Sequence, residues 1–146
     1  IDKGTDDGIE ENMNVIAGTG LVGRVTSVGK NWAKVTTIIS DNVSVSGTVL
    51  STSDNLVITG NLETYTDGLI EFGKLIDEKN QVVEGDKLVT SNISDHYLPG
   101  ILIGYISSLN TDSNNLTKSG AVTPAVDFSH LEEVLVILEQ KQTIEE

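Results

Sequence analysis

The sequence predicts an all-β protein whose antiparallel strands form two small lobes, and three observations carry that expectation. Val, Ile and Thr, which suit a pleated and half-buried surface, supply 45 of the 146 residues. Apolar runs of strand length are broken by polar turns and by 14 glycines, with only two prolines in the chain, the punctuation of strands rather than helices. Finally, Leu21-Val-Gly-Arg-Val-Thr-Ser-Val28 recurs about half a chain later as Leu102-Ile-Gly-Tyr-Ile-Ser-Ser-Leu109. Gly23 matches Gly104, Ser27 matches Ser108, and every apolar position is kept. The repeat places one lobe at residues 1–80 and the other at 81–146, with strands free to cross between them.

Residues 1–14 are acidic and turn-rich and read as a solvated lead-in. Next, Asn14-Val-Ile-Ala-Gly-Thr-Gly-Leu-Val-Gly23 has the Gly-x-Gly-x-x-Gly spacing of a dinucleotide fingerprint, with Asp41 placed as the ribose acid. That fingerprint must open a helix so that the helix N-terminus meets pyrophosphate. Here Arg24-Val-Thr-Ser-Val-Gly29 follows, β-branched and a poor helix former. A β-hairpin with glycine at its turn and bend is expected instead, and no cofactor. Three further strands are expected at Val43–Val49, Asn55–Gly60 and Gly68–Ile76.

Glu84-Gly-Asp86 turns the chain into its central stretch. Leu88 and Val89 begin a strand, and the polar run Thr90–Asp95 leaves it. Leu98-Pro99-Gly100-Ile101 fits a type II turn, with proline presetting φ and glycine supplying φ > 0. A second strand follows from Ile101 to Ile106. Gly104 inside it marks a bend or a close backbone approach. Asn110–Asn115 reads as a hydrophilic loop, and Ser129-x-x-Glu132 has capping-box spacing for one helical turn. Val134-Leu-Val-Ile-Leu138 is apolar throughout and is expected to be buried on both faces. A polar tail runs from Gln140 to Glu146.

A net charge of −13 argues against nucleic acid and anionic lipid, which need a basic footprint. The chain has no cysteine, which removes disulfides and thiolate metal sites. Its two histidines, His96 and His130, lack metal-ligand spacing to each other. Ser91 near His96 lies in an ordinary polar run without a triad pattern. No catalytic, cofactor or metal residue is therefore assigned. The longest apolar run falls well short of the ~18 residues of a membrane span. Because the chain starts at Ile1 without methionine, we expect an excised piece with any anchor upstream.

Four blocks in order carry a family resemblance: Gly18-Thr-Gly-Leu-Val-Gly-Arg-Val25, Glu84-Gly-Asp-Lys-Leu-Val-Thr-Ser91, Leu98-Pro-Gly-Ile-Leu-Ile-Gly-Tyr-Ile106, and Pro124-Ala-Val-Asp-Phe with Leu131-Glu-Glu-Val-Leu-Val-Ile137. Together they resemble the bacterial rod shape-determining MreC family. Asn92 stands where that family usually has glycine, and Leu98 where it usually has phenylalanine. The resemblance implies two antiparallel β-barrel-like lobes, similar to a trypsin-like double barrel without its catalytic residues. It further implies a homodimerising scaffold of the cell-wall elongation machinery, outside the cytoplasmic membrane and anchored by an N-terminal segment. The partners it implies are MreD, the actin-like MreB and a class B penicillin-binding transpeptidase. Gly20, Gly23, Pro99, Gly100 and Gly104 are then structural turn and bend residues, and Asn92, His96 and Tyr97 candidate partner contacts, with Tyr97 either an interface anchor or a cover for the edge of the barrel. A wall- or carbohydrate-binding module is the alternative, but one Trp, three Tyr and two Phe offer few aromatic platforms.

Overall fold

The computed structural model describes residues 1–140, so residues 141–146 of the expected tail lie outside the described residues. Ten strands form among the described residues, linked in one network, and the class is all-β. In order they are β1 (Asn14–Ala17), β2 (Gly20–Val28), β3 (Ala33–Thr37), β4 (Ser44–Val49), β5 (Asn55–Thr59), β6 (Ile70–Leu75), β7 (Lys87–Thr90), β8 (Leu102–Thr111), β9 (Lys118–Pro124) and β10 (Leu135–Val136). A single helical turn, α1 (Leu62–Tyr65), joins β5 to β6 and is capped by Asn61.

Antiparallel pairing runs β4–β5, β5–β6, β6–β9, β9–β8, β8–β7 and back from β7 to β4, which closes a six-stranded barrel. Strands β10, β1, β2 and β3 form an antiparallel sheet beside it. A lone parallel pairing, Gly20 with Leu102, joins the two. Strands cross between the halves 1–80 and 81–146, since the barrel draws on both and β10 returns to β1. Burial follows this architecture. Leu21, Leu56, Ile58, Phe72, Leu88, Ile103 and their neighbours fill the barrel. Ile9, Met13, Val15, Val22, Val25, Ala33 and Val126 make a second, smaller core. Phe128 touches both, and Tyr65 meets it edge-on at 5.4 Å while its hydroxyl accepts the Phe128 N–H at 2.9 Å.

The internal repeat is a structural one. β2 slips register against β3 between Val25 and Ser27, and β8 slips against β9 between Ile106 and Ser108. These are matching positions of the octapeptide, so each copy carries a bulge at the same place. The paired glycines match as well. A Cβ on Gly23 would strike the Thr36 carbonyl, and one on Gly104 the Thr123 carbonyl. The Gly-x-Gly-x-x-Gly run opens a strand: Gly18 lies in the β1–β2 turn, and Gly20 and Gly23 lie in β2.

Three expectations are corrected. Ile9 and Met13 are 3% exposed, and Ile1 exchanges both backbone hydrogen bonds with Ala33, so residues 1–14 belong to the sheet lobe. The helical turn near the end is a 3-10 turn over Phe128–His130 whose cap is Asp127, not Ser129. The aspartate sits one residue before the turn, and its side chain accepts the Ser129 N–H at 3.0 Å. The apolar run 134–138 is not buried on both faces, because β10 is an edge strand paired only with β1 among the described residues. Leu135 is 64% exposed and Leu138 59%.

A buried ion pair ties the connection between β6 and β7 to the barrel. Asp77 accepts the Gln81 and Val82 N–H groups at 2.9 and 3.0 Å and the Lys118 ammonium at 3.0 Å. Lys118 also donates to Asn80 at 2.7 Å. Burial alone would raise the Asp77 carboxyl, but these donors outweigh it and hold it below its ordinary 3.8.

Two outcomes follow. Gly104→Val is expected to cost about 1–3 kcal/mol through overpacking. Gly73→Val, whose Cβ meets open space, should change little, and thermal melts of both variants check this. Because the folded Asp77 value is depressed, its stabilisation is full above pH 3.8 and lost as pH falls through the folded value. Melting temperature should therefore fall less steeply on acidification below about pH 4 in Asp77→Asn than in the parent chain.

Candidate interaction site

The segment between β7 and β8 is irregular in backbone yet firmly seated. Thr90, 2% exposed, closes its base. Its hydroxyl donates to the Leu98 carbonyl at 2.6 Å and accepts the Ile101 N–H at 2.8 Å. The turn over Pro99 and Gly100 therefore has the hydroxyl inserted between the two groups that would otherwise bond each other. Gly100 sits at φ 83° as a type II turn requires, and its N–H reaches the Thr90 carbonyl at 3.0 Å.

A second anchor comes from the other lobe. Asn14, 1% exposed at the start of β1, donates to the His96 carbonyl at 2.9 Å and accepts the Leu98 N–H at 2.8 Å. One side-chain amide thus satisfies two loop backbone groups that a strand would have satisfied by pairing. Ser91 adds a third tie: its N–H reaches the Ser46 carbonyl at 3.0 Å, and its hydroxyl accepts the Ile93 N–H at 3.2 Å.

These anchors decide where the candidate contacts point. Tyr97 is 3% exposed and belongs to the barrel core, so of its two readings the ring that covers the barrel is the one seen. The residues on either side of it are pinned by the Asn14 amide, at the His96 carbonyl and the Leu98 N–H. Burial pushes the Tyr97 hydroxyl up, and the Arg24 guanidinium beside it opposes the shift. Asn92 and His96 lie on the surface, as does Asp95. Between them Ile93 stands 64% exposed. Sequence reasoning passed over Ile93, Asn14 and Thr90. An isoleucine alone in a polar run was the visible clue for the first, and the other two act through distant partners.

The other polar constellations are local supports. Asp112 is held low by the hydroxyls of Ser119 and Thr117, and Asp127 by the His130 side chain and the Ser129 N–H. Ser91 bonds Asn55 at 3.4 Å and Ile93. Trp32 is 48% exposed at the turn between β2 and β3, and Tyr105 is 41% exposed on β8 of the barrel, so the two lie in separate lobes. Among the described residues, no group of three or more His, Asp or Glu is placed to hold a metal.

What the molecule presents is a double β support, a closed barrel beside a sheet, that displays a braced loop. Residues 1–138 match the family described as "Rod shape-determining protein MreC, barrel core", and the chain belongs to that family. The cell shape-determining protein MreC of Listeria monocytogenes is 32% identical over 137 residues, covering 94% of this chain and 46% of that protein. The chain thus spans about half the length of the curated relative it matches. A solved Listeria monocytogenes MreC structure superposes with a TM-score of 0.84 at 29% identity, over 99% of this chain and 70% of that one. A solved complex between penicillin-binding protein PBP2 and MreC from Helicobacter pylori superposes at 0.66 with 16% identity, over 88% of this chain and 79% of that one.

The braced loop can be tested directly. Asn14→Ala is expected to cost about 1–3 kcal/mol, because two part-buried backbone groups lose their partner. Amide hydrogen exchange at Leu98 should quicken more than exchange in the barrel strands.

Proposed function

We propose that this chain is a non-catalytic scaffold of the cell-wall elongation machinery, which helps maintain cell shape by holding partner proteins together. The observation that carries the reading is the loop of residues 91–98, fixed from beneath by Asn14, Thr90 and the buried Tyr97 ring, with Ile93 presented to solvent. Loops on rigid frames carry recognition more often than the frames do. A preordered loop also loses less entropy on binding. Ile93, with Asn92 and His96 beside it, is the proposed contact.

The proposed partner at this loop is a class B penicillin-binding transpeptidase, in keeping with the PBP2 complex formed by the Helicobacter pylori MreC. MreD, MreB and a second copy of the chain complete the proposed assembly, on the strength of family membership. No helix among the described residues is long and apolar enough to cross a membrane. We place the module on the outer face of the cytoplasmic membrane, held there by an N-terminal segment of the longer protein.

Function of this kind resides in surface complementarity, so it is lost by spoiling an apolar contact and survives removal of one polar atom at the rim. In a full-length gene, Ile93→Asp should reduce co-purification of the transpeptidase several-fold and round the cells, with the melting temperature of the isolated module unchanged. His96→Ala should leave shape intact. Rounding by His96→Ala with normal folding and normal co-purification would instead indicate chemistry at the loop, and the scaffold reading would fail.

A further inference from the structure

Among the described residues, the sheet lobe ends in an open edge beside an apolar groove. Ile137 donates to the Asn14 carbonyl at 2.8 Å, and Leu135 stands opposite Ile16, so both turn their backbone groups toward β1. Antiparallel alternation turns those of Val136 and Leu138 outward. An open row of donors and acceptors is a template for another strand. The side chains sort accordingly. Val134 and Val136 pack on the smaller core, whereas Leu135 is 64% exposed. Ile137 lines a groove of about 600 Å³ together with Ile16, Leu50, Val89, Ile101 and Leu102. Leu50 at its far side is 57% exposed, and Lys87 is the charged residue of the lining.

Carboxylates stand at both ends of this edge. Glu132 and Glu133 precede it and Glu139 follows it. The Gln140 side chain donates to the Glu10 carboxylate at 3.0 Å and to the Glu11 carbonyl at 2.8 Å, which brings two more acids to the far end. All five are exposed. A second copy of the chain pairing there would set like charges against each other, which is destabilising across strands. Opposite charges would both steer and hold a partner.

We propose that the β10 edge and its groove receive an extended partner segment, apolar in its middle and carrying Lys or Arg at its ends, which joins the sheet as an added strand. Main-chain hydrogen bonds would supply affinity, and alternate apolar side chains in the groove would supply selectivity. The groove adjoins the base of the β7–β8 segment at Gly100 and Ile101, but none of residues 91–98 lines it, so the inference goes beyond the scaffold reading.

A fluorescent synthetic peptide of alternating valine and threonine, with paired lysines at each end, is the probe. By anisotropy it should bind the chain saturably, and the affinity should fall at least about fivefold when ionic strength rises from about 0.05 to 0.5 M. Glutamate-ended and alternately N-methylated versions should not bind. Val136→Pro deletes an outward N–H but no bond to β1, and Leu135→Lys adds positive charge to the apolar face. Each should weaken binding at least about tenfold, while Ile93→Asp should leave it unchanged. Equal binding of the glutamate-ended peptide, no binding of the lysine-ended one, or indifference to both edge variants overturns the proposal. Sedimentation showing a dimer that Val136→Pro dissolves would overturn it too, because the occupant would then be a second copy.

Discussion

The rest of the structure depends on the burial of both faces of β2. Leu21 points into the barrel core and Val22 and Val25 into the smaller one, so a single strand is the shared wall of two cores. Each such side chain contributes roughly 1.5–3 kcal/mol by leaving water, and neither core can lose the strand without opening the other. Close packing at this wall requires glycine. A Cβ on Gly20 would meet a Val126 methyl at 2.6 Å, and Val126 closes the smaller core. Phe128, two residues later, lies against both cores. The segment after β9 thus crosses the junction between the lobes and leads the chain on to pair β10 with β1.

That shared wall explains why the loop after β7 can be both irregular and rigid. Its anchors come from opposite sides of the junction: Asn14 from the sheet and Thr90 from the barrel. Polar atoms buried where two lobes meet have few solutions, since each must find a partner at fixed geometry. Asn14 meets this constraint by bonding two loop backbone groups that stand more than eighty positions away in sequence. The loop conformation is therefore set by how the lobes sit together, and the exposed Ile93 inherits that order. A loop already ordered in this way leaves little ordering for a binding partner to impose.

The duplication shows how one local solution serves two purposes. β2 and β8 share the glycine, the bulge and the apolar pattern, and each packs its bend against the carbonyl of a neighbouring strand. Their surroundings then diverge. β8 joins a closed ring with no free edge, whereas the sheet around β2 stays open and ends at β10. Closure removes the hazard of unpaired edges for the barrel. The sheet, among the described residues, keeps an unpaired edge at β10.

Much of this was legible in the residues themselves. Most strand positions, the hairpin at Gly18, the turn at Pro99 and Gly100, the paired bends at Gly23 and Gly104, and the family all follow from local patterns of polarity and backbone freedom, which act within a few residues. Strand β9, which closes the barrel between β6 and β8, was not among the expected strands. The presentation of Ile93, the burial of Ile9 and Met13 and the exposure of β10 were not legible, and the choice between surface and barrel for Tyr97 was open. An apolar run reads alike whether it fills a core or lines an edge, and a tyrosine in a polar segment fits either place until a distant asparagine fixes the backbone beside it. Sequence by itself determined most of the segments that became strands, because side-chain alternation and turn chemistry are local. Only the tertiary structure decided which faces were left to meet other molecules, because burial depends on contacts between residues far apart in the chain.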